Sequence, residues 1–443
     1  MNVEQIADQL SELATRAVAL ARKAGADQAE AGASHDEGLS VTVRMGELES
    51  VERQQDRGLA VTVYRNGSKG SASTSDFTAE GVRLAVEKAV SIASFTTPDP
   101  HAGLADAALM SSDPPDLDMY HPWDIEVAAA EKLALSVEGS AREYDPRIDN
   151  SEGASVSTGG GVRAYANSHG FVGAYPSSSH STSVSIVARE GGTLERDYWY
   201  TAARDAAALE SPEAVGRTAA ERAVSRLGSR KLTTRTAPVV FAPEIARSIF
   251  GHLVAALRGS SQYRKASFLL GAAGEQVFAE SIGIVEDPHI AGAFGSAPFD
   301  AEGVMTTRRD LVANGVVSGY VLSAYSARRL GLETTGNAGG AHTLTVAPTA
   351  GTLESILADL DGALLVTELL GQGVNIVTGD YSRGAAGFWV ERGEIVHAVS
   401  EVTIAGNLRD MFMKIGAVGS DVDLRGGVRC GSILIDSMTI AGD

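Results

Sequence analysis

Apolar residues recur along this chain at two different periods. Between 3 and 23, Ile6, Leu10, Leu13, Ala17 and Leu20 fall at helical spacing, and Gly25 closes the pattern. From 37 to 74 the period drops to two. Leu39-Ser40-Val41-Thr42-Val43-Arg44 and Leu59-Ala60-Val61-Thr62-Val63-Tyr64 alternate, and Asn66-Gly67 is a hairpin signal leading into 69–73. Val82, Ala85, Val86, Ala89 and Val90 predict a helix over 78–94. The stretch 95–122 holds Pro98, Pro100, Pro114, Pro115 and Pro122 and reads as a connector. A helix over 124–141, strands near 152–158, 161–167, 180–188 and 194–203, and a helix near 211–227 follow. Polar Ser229–Arg235 reads as a linker. Beyond it, a strand (Ala237–Phe241) and a helix (Pro243–Leu257) open a long run of short strands and Gly-rich turns, with one helix near 352–360.

These elements predict an α+β fold. Two-layer regions of helices and antiparallel strands are expected over 1–110 and 120–230. A β-rich domain opened by one helix is expected over 235–443.

Composition narrows the function. The chain has 443 residues, 44% hydrophobic and 21% charged, which is enough to bury a large core. Its formal net charge of −19, without a run of basic residues, argues against a nucleic-acid partner. The single cysteine, Cys430, excludes an intrachain disulfide and a Cys-x-x-Cys site, as expected for a cytoplasmic protein. Glu4, Asp8 and Glu12 interrupt any apolar leader, and no 18-residue apolar stretch predicts a membrane span.

The densest motif text lies at 366–388, V-T-E-L-L-G-Q-G-V-N-I-V-T-G-D-Y-S-R-G-A-A-G-F, followed by Gly406-Asn407 and by Ser437-Met438-Thr439-Ile440-Ala441-Gly442. This text resembles the TldD/PmbA family, also called modulators of DNA gyrase, and within it the PmbA (TldE) branch. The resemblance covers about 200 residues with specific motifs. It is looser in the N-terminal half, at Gly161-Val162-Arg163 and Asn167-Ser168-His169-Gly170. Three further stretches resemble the PmbA branch: Gly259–Lys265, Pro298–Val304 and Tyr325–Gly331.

The TldD branch carries a His-Glu-x-x-Gly-His zinc helix. In the matching helix this chain reads Arg247-Ser248-Ile249-Phe250-Gly251-His252. A guanidinium cannot ligate zinc, and an unassisted serine is too weak a base to activate metal-bound water. Only Gly251 and His252 remain, and a lone histidine is a poor zinc site. No metal is therefore expected in this chain, with His252 the one candidate ligand. The bland reading of His252 is a half-buried imidazole, and that of Cys430 a small buried hydrophobe.

Gly371, Gln372, Gly373, Asn375, Gly379, Asp380, Tyr381, Ser382, Arg383 and Gly384 are the candidate peptide- or partner-facing surface, and their strand is a possible edge for a peptide to pair with. The competing reading is tight-turn chemistry. Asp300 and Glu302, two apart on an expected strand, read as a helper pair for Arg308 and Arg309 rather than as an acid/base pair.

The resemblance implies a subunit of a zinc metallopeptidase acting on extended peptides. The zinc would be held by a TldD-like partner, and the chain would dimerise with that partner or with itself. Two alternatives stand. One is a metallopeptidase in its own right, using His252 with His289, His342 or Cys430. The other is a gyrase-modulating binding protein without chemistry.

Overall fold

Strand alternation fixes which face of the N-terminal half is buried. The computed structural model describes residues 2–442. Its first half runs α1 (Val3–Lys23), β1 (Gln28–Arg44), β2 (Glu47–Arg65), β3 (Ser68–Thr74), α2 (Ala79–Phe95), α3 (Val127–Arg142), β4 (Ile148–Asn167), β5 (Val172–Glu190), β6 (Thr193–Ala203) and α4 (Pro212–Ser225). The two expected regions share one antiparallel sheet of order β3-β2-β1-β4-β5-β6. The join is β1 against β4, paired from Glu30↔Asn167 to Val43↔Ala154. Ala29, Ala31 and Ala33 of β1 pack in the core with α1 and α2. Leu39, Val41 and Val43, on the same face of the same strand, pack in the core with α3 and α4. Period two then places Gly32, Ser34, Asp36, Gly38, Ser40 and Thr42 on the opposite, curved-in face of this half-barrel.

The expected strands at 152–158 and 161–167 are one strand. Gly159-Gly160-Gly161 suggests a break in the sequence, but these glycines lie within β4. A Cβ at Gly160 would press on the Tyr120 ring at 3.2 Å, and one at Gly161 would overlap the Asp36 carboxylate.

The second half continues with β7 (Arg235–Phe241), α5 (Pro243–Leu257), α6 (Gly259–Tyr263), β8 (Ile284–Glu286), β9 (Arg309–Ala313), β10 (Val316–Val317), α7 (Ala324–Leu330), β11 (Leu344–Val346), α8 (Leu353–Ala358), β12 (Ala363–Leu370), β13 (Asp380–Glu391), β14 (Glu394–Asn407), α9 (Leu408–Met413), β15 (Ile415–Val418), β16 (Val428–Arg429) and β17 (Ile433–Ala441). Strands β14-β13-β12-β7-β17 close on themselves through a β14–β17 pairing, giving a five-strand barrel that β15 extends. A smaller sheet has the order β10-β9-β8-β11-β16. Helix α5 contributes Ala246, Ile249, Phe250, Leu253, Ala256 and Leu257 to a core shared with Ile284, Leu311 and Leu344 of the small sheet and Phe241, Val366 and Ile404 of the barrel.

The sequence predicts one helix inside this half after α5, at 352–360. Short helices α6, α7 and α9 are also present. They span about one or two turns each, too short for a periodic signal. Residues 430–432 separate β16 from β17.

The small residues at 384–387 serve close strand packing. A Cβ on Gly387 would overlap the Leu365 carbonyl oxygen of β12. Gly387→Ala is therefore expected to lower stability by about 1–3 kcal/mol in denaturant titrations. Gly139→Ala, in α3 with open space around its Cβ position, serves as the contrast and should be neutral or stabilising by up to ~1 kcal/mol.

Candidate functional site

Helix α5 starts at Pro243, whose missing N–H costs nothing in a first turn. Its core face is set by Ala246, Ile249, Phe250 and Leu253, so Arg247, Ser248 and Gly251 lie off that face. The Arg247 Nη2 donates to the Tyr200 hydroxyl of β6 at 3.0 Å, and Nη1 lies 3.8 Å from Asp423 Oδ2. The Ser248 hydroxyl donates back to the Ile245 carbonyl at 2.6 Å. Gly251 faces open space.

His252 is half-buried, and its Nε2 is buried without a hydrogen-bond partner. Its ring meets Tyr381 edge-on, 6.1 Å between centroids. Burial, followed by the positive charge of Arg383, pushes its pKa below the usual imidazole range. Burial holds the Tyr381 phenol well above its usual range, and Arg383 opposes that shift.

Residues 371–379 form the turn between β12 and β13. The Asn375 Oδ1 accepts from the Val377 and Thr378 amides, and Gly379 N–H donates to the Asn375 carbonyl at 2.8 Å. Gly371 and Gly379 take positive φ, +72° and +82°, a backbone region that favours glycine. Gln372, Gly373, Asn375, Asp380 and Ser382 are exposed, whereas Tyr381 points into the core and Arg383 and Gly384 are partly covered. The expected open edge is absent. Residues 380–385 pair with β14, residues 384–390 pair with β12, and Ser382 N–H is taken by the Gly373 carbonyl at 2.7 Å. Closure of the barrel leaves this strand no edge for a peptide to join.

The distant ligand candidates do not gather around His252. His289 bonds Thr306 through Nε2 at 3.0 Å, and His342 donates from Nε2 to the Gly336 carbonyl at 2.8 Å. Cys430 is fully buried, donates to the Gly431 carbonyl, and burial raises its thiol pKa. Among the described residues no cluster of three or more His, Cys, Asp or Glu forms a metal-ligand set. The donor set at 247, 248 and 252 is thus a paired cation, a hydroxyl bonded to the helix backbone and one enclosed imidazole. It does not fit zinc.

Asp300 and Glu302 are corrected as well. They sit in a turn, and Arg308 and Arg309 pair instead with Asp287 and Glu286. The Asp300 carboxylate accepts from the Glu302, Val304 and Ala338 amides. Glu302 caps α7 by accepting from Ala324 N–H at 2.9 Å. It lies near Glu30, whose carboxylate accepts from the Tyr64 and Tyr165 hydroxyls at 3.0 and 2.7 Å.

Sequence reasoning missed the joint between the two halves. Arg425 lies over the Trp199 ring at 4.3 Å and the Tyr200 ring at 4.4 Å, donates to the Tyr200 carbonyl at 2.6 Å and pairs with Asp423 at 2.9 Å. Arg222 of α4 bridges Asp197 at 3.0 Å and Glu244 of α5 at 2.5 Å. Arg226 bridges Asp197 at 3.3 Å and Glu368 of β12 at 2.6 Å. The Tyr198-Trp199-Tyr200 run was the one local signal, since exposed aromatics on a strand are good cation partners.

Fold and motif helix together point to a metallopeptidase-type architecture. Family models described as PmbA/TldA metallopeptidase domain 1, central domain and C-terminal domain match residues 29–93, 120–227 and 234–442. The chain belongs to the PmbA/TldD metallopeptidase family. It is 47% identical to metalloprotease PmbA of Escherichia coli O157:H7, covering 98% of this chain and 96% of that protein. A PmbA homologue of Haemophilus influenzae is also 47% identical, over 98% and 96%. The crystal structure of a putative modulator of DNA gyrase from Bacteroides thetaiotaomicron superposes with a TM-score of 0.92 at 27% identity, over 98% of both chains. TldE from Thermococcus kodakarensis shares the fold, with a TM-score of 0.85 at 21% identity over 97% and 99%.

Two outcomes follow from this geometry. Arg425→Ala should cost about 2–4 kcal/mol in equilibrium unfolding, because it strips two rings and leaves Asp423 underpaired. The second concerns pH. Burial raises the Glu302 carboxyl to about 7, above its ordinary value near 4.5. The folded state therefore holds a proton that the unfolded state has released between those values, so stability falls as pH rises from 4.5 to 7 and levels off above 7. The loss is up to about 3 kcal/mol. Glu302→Gln should flatten that slope in melting curves taken from pH 5 to 8.

Proposed function

We propose that this chain is the non-catalytic subunit of a cytoplasmic zinc metallopeptidase that acts on extended peptides, paired with a TldD-like chain that holds the zinc. The observation that carries this reading is the fate of Arg247. At the helix position where a zinc subunit presents its first histidine, this chain presents a guanidinium bonded to Tyr200 and facing Asp423. That group serves the joint between the two halves and has no capacity to hold a metal. Ser248 supports the same reading, since its hydroxyl is bonded to its own helix. The kept fold is consistent with a partner's shape requirement, because most oligomers are built by repeating one subunit architecture.

The test is reconstitution. The chain purified alone should carry substoichiometric zinc by elemental analysis and leave an unstructured peptide intact. Mixed with a zinc-bearing TldD-type chain, it should form a heteromeric complex that cleaves the peptide, and His252→Ala should leave that cleavage unchanged. Stoichiometric zinc on the lone chain, lost with His252→Ala and accompanied by chelator-sensitive cleavage, would overturn the reading in favour of a self-sufficient enzyme.

A further inference from the structure

The curved-in face of the N-terminal sheet carries a built cavity that the subunit reading does not use. A space of about 350 Å³ opens where the 299–301 turn of the C-terminal half overhangs the sheet. Its floor is made by small residues, Gly32, Gly58 and Ala60, on adjacent strands. Its walls are Tyr165, Tyr175 and Phe299, and Phe299 is held by edge-on contacts to Tyr175 at 5.3 Å and Phe171 at 5.2 Å. This volume lies at the lower end of ligand-pocket sizes and is ample for one large side chain.

The charge at its rim is unusual for this molecule. Arg163, directly across the strand pair from Tyr175, is exposed. Among the described residues it has neither hydrogen bond nor ion pair from its side chain. Asp36 sits one diagonal step away, over Gly161, without closing a pair with it. Asp300, on the cavity wall, has its carboxylate occupied by three backbone amides. Arg204 lies outside this cavity, in a neighbouring space lined also by Asp36, Glu37, Glu52 and Asp56, and donates to the carbonyls of Ser178, Ala293 and Phe294. In a chain of net charge −19, a guanidinium without a carboxylate partner on the wall of an aromatic-lined cavity calls for an anion from outside.

We propose that this trough receives a carboxylate flanked by a large apolar side chain, specifically the C-terminal end of an extended peptide. Arg163 takes the terminal carboxylate, and the last side chain fills the space between Tyr165, Tyr175 and Phe299. The assignment rests on the peptide-handling reading above and adds a specificity that the reading lacks. An apolar pocket with one placed charge selects for side-chain size and for a free terminus at once.

The experiment uses the full-length chain and fluorescently labelled hexapeptides. One ends in Phe with a free carboxylate, one in Phe amide, one in Gly with a free carboxylate, and one in Phe amide with an internal Glu. The free-acid Phe peptide is expected to bind about tenfold or more tightly than each of the others. Arg163→Met should erase the acid–amide difference, and Ala60→Leu, which fills the floor, should erase the Phe–Gly difference. Both variants should keep the wild-type melting temperature. The proposal is overturned if no peptide binds, if the amide binds as well as the acid, or if Arg163→Met still discriminates. Equal binding of the internal-Glu amide would overturn the terminal assignment and point to side-chain carboxylates. The subunit reading is scored separately, by cleavage in the reconstituted complex, so the two can fail independently.

Discussion

The architecture depends on one joint, where cations and rings lock edge strand β6 to the helix that opens the barrel half. An edge strand leaves backbone groups unpaired, and such an edge must be covered or blunted. Here the Tyr200 carbonyl is taken by Arg425, whose guanidinium also lies over the Trp199 and Tyr200 rings and pairs with Asp423. Removing charges from water is costly, and only a network that meets several donors at once offsets that cost. Arg222 and Arg226 supply the rest of the network by reaching from the end of α4 to Glu244 and Glu368. Arg247 belongs to this assembly. Its guanidinium is one more cation in the clamp.

The clamp also shapes the trough. With β6 fixed against the second half, the 299–301 turn is carried over the opposite end of the same sheet, and Phe299 wedges against Tyr175 and Phe171. The cavity is therefore a property of both halves. Neither the sheet, whose floor is glycine and alanine, nor the turn, whose Asp300 is consumed by its own backbone, would form it alone.

Much of the secondary structure was legible. The helices at 3–23, 78–94 and 243–257 announce themselves by an apolar stripe, and the Asn66-Gly67 hairpin by its turn residues. What was not legible has a common cause. The joining of the two expected regions into one sheet is a pairing of residues more than a hundred positions apart, and so is the pairing of β7 with β17 in the barrel. Local periodicity carries no information about partners at that range. Glycine misled twice. Gly159–Gly161 looked like a break but forms the floor of a strand, and 384–387 looked like a free edge but lies between two partners. Asp300 and Glu302 alternate as strand residues do, yet the chain turns there because three amides converge on one carboxylate. The motif helix was legible as a helix. The new employment of Arg247 was not, because Tyr200 and Asp423 are remote in sequence.

That helix also separates the residues that hold its orientation from those that face the joint. Its orientation is set by Ala246, Ile249, Phe250 and Leu253, all fully buried and spaced to form one face. The positions that differ from a zinc helix, 247 and 248, lie off that face. A substitution there changes the chemistry of the outer side without opening a cavity in the core, so the large cost of core substitution does not arise. The outer side of the helix is then free to carry a contact between the two halves, and the bond from Arg247 to Tyr200 is such a contact.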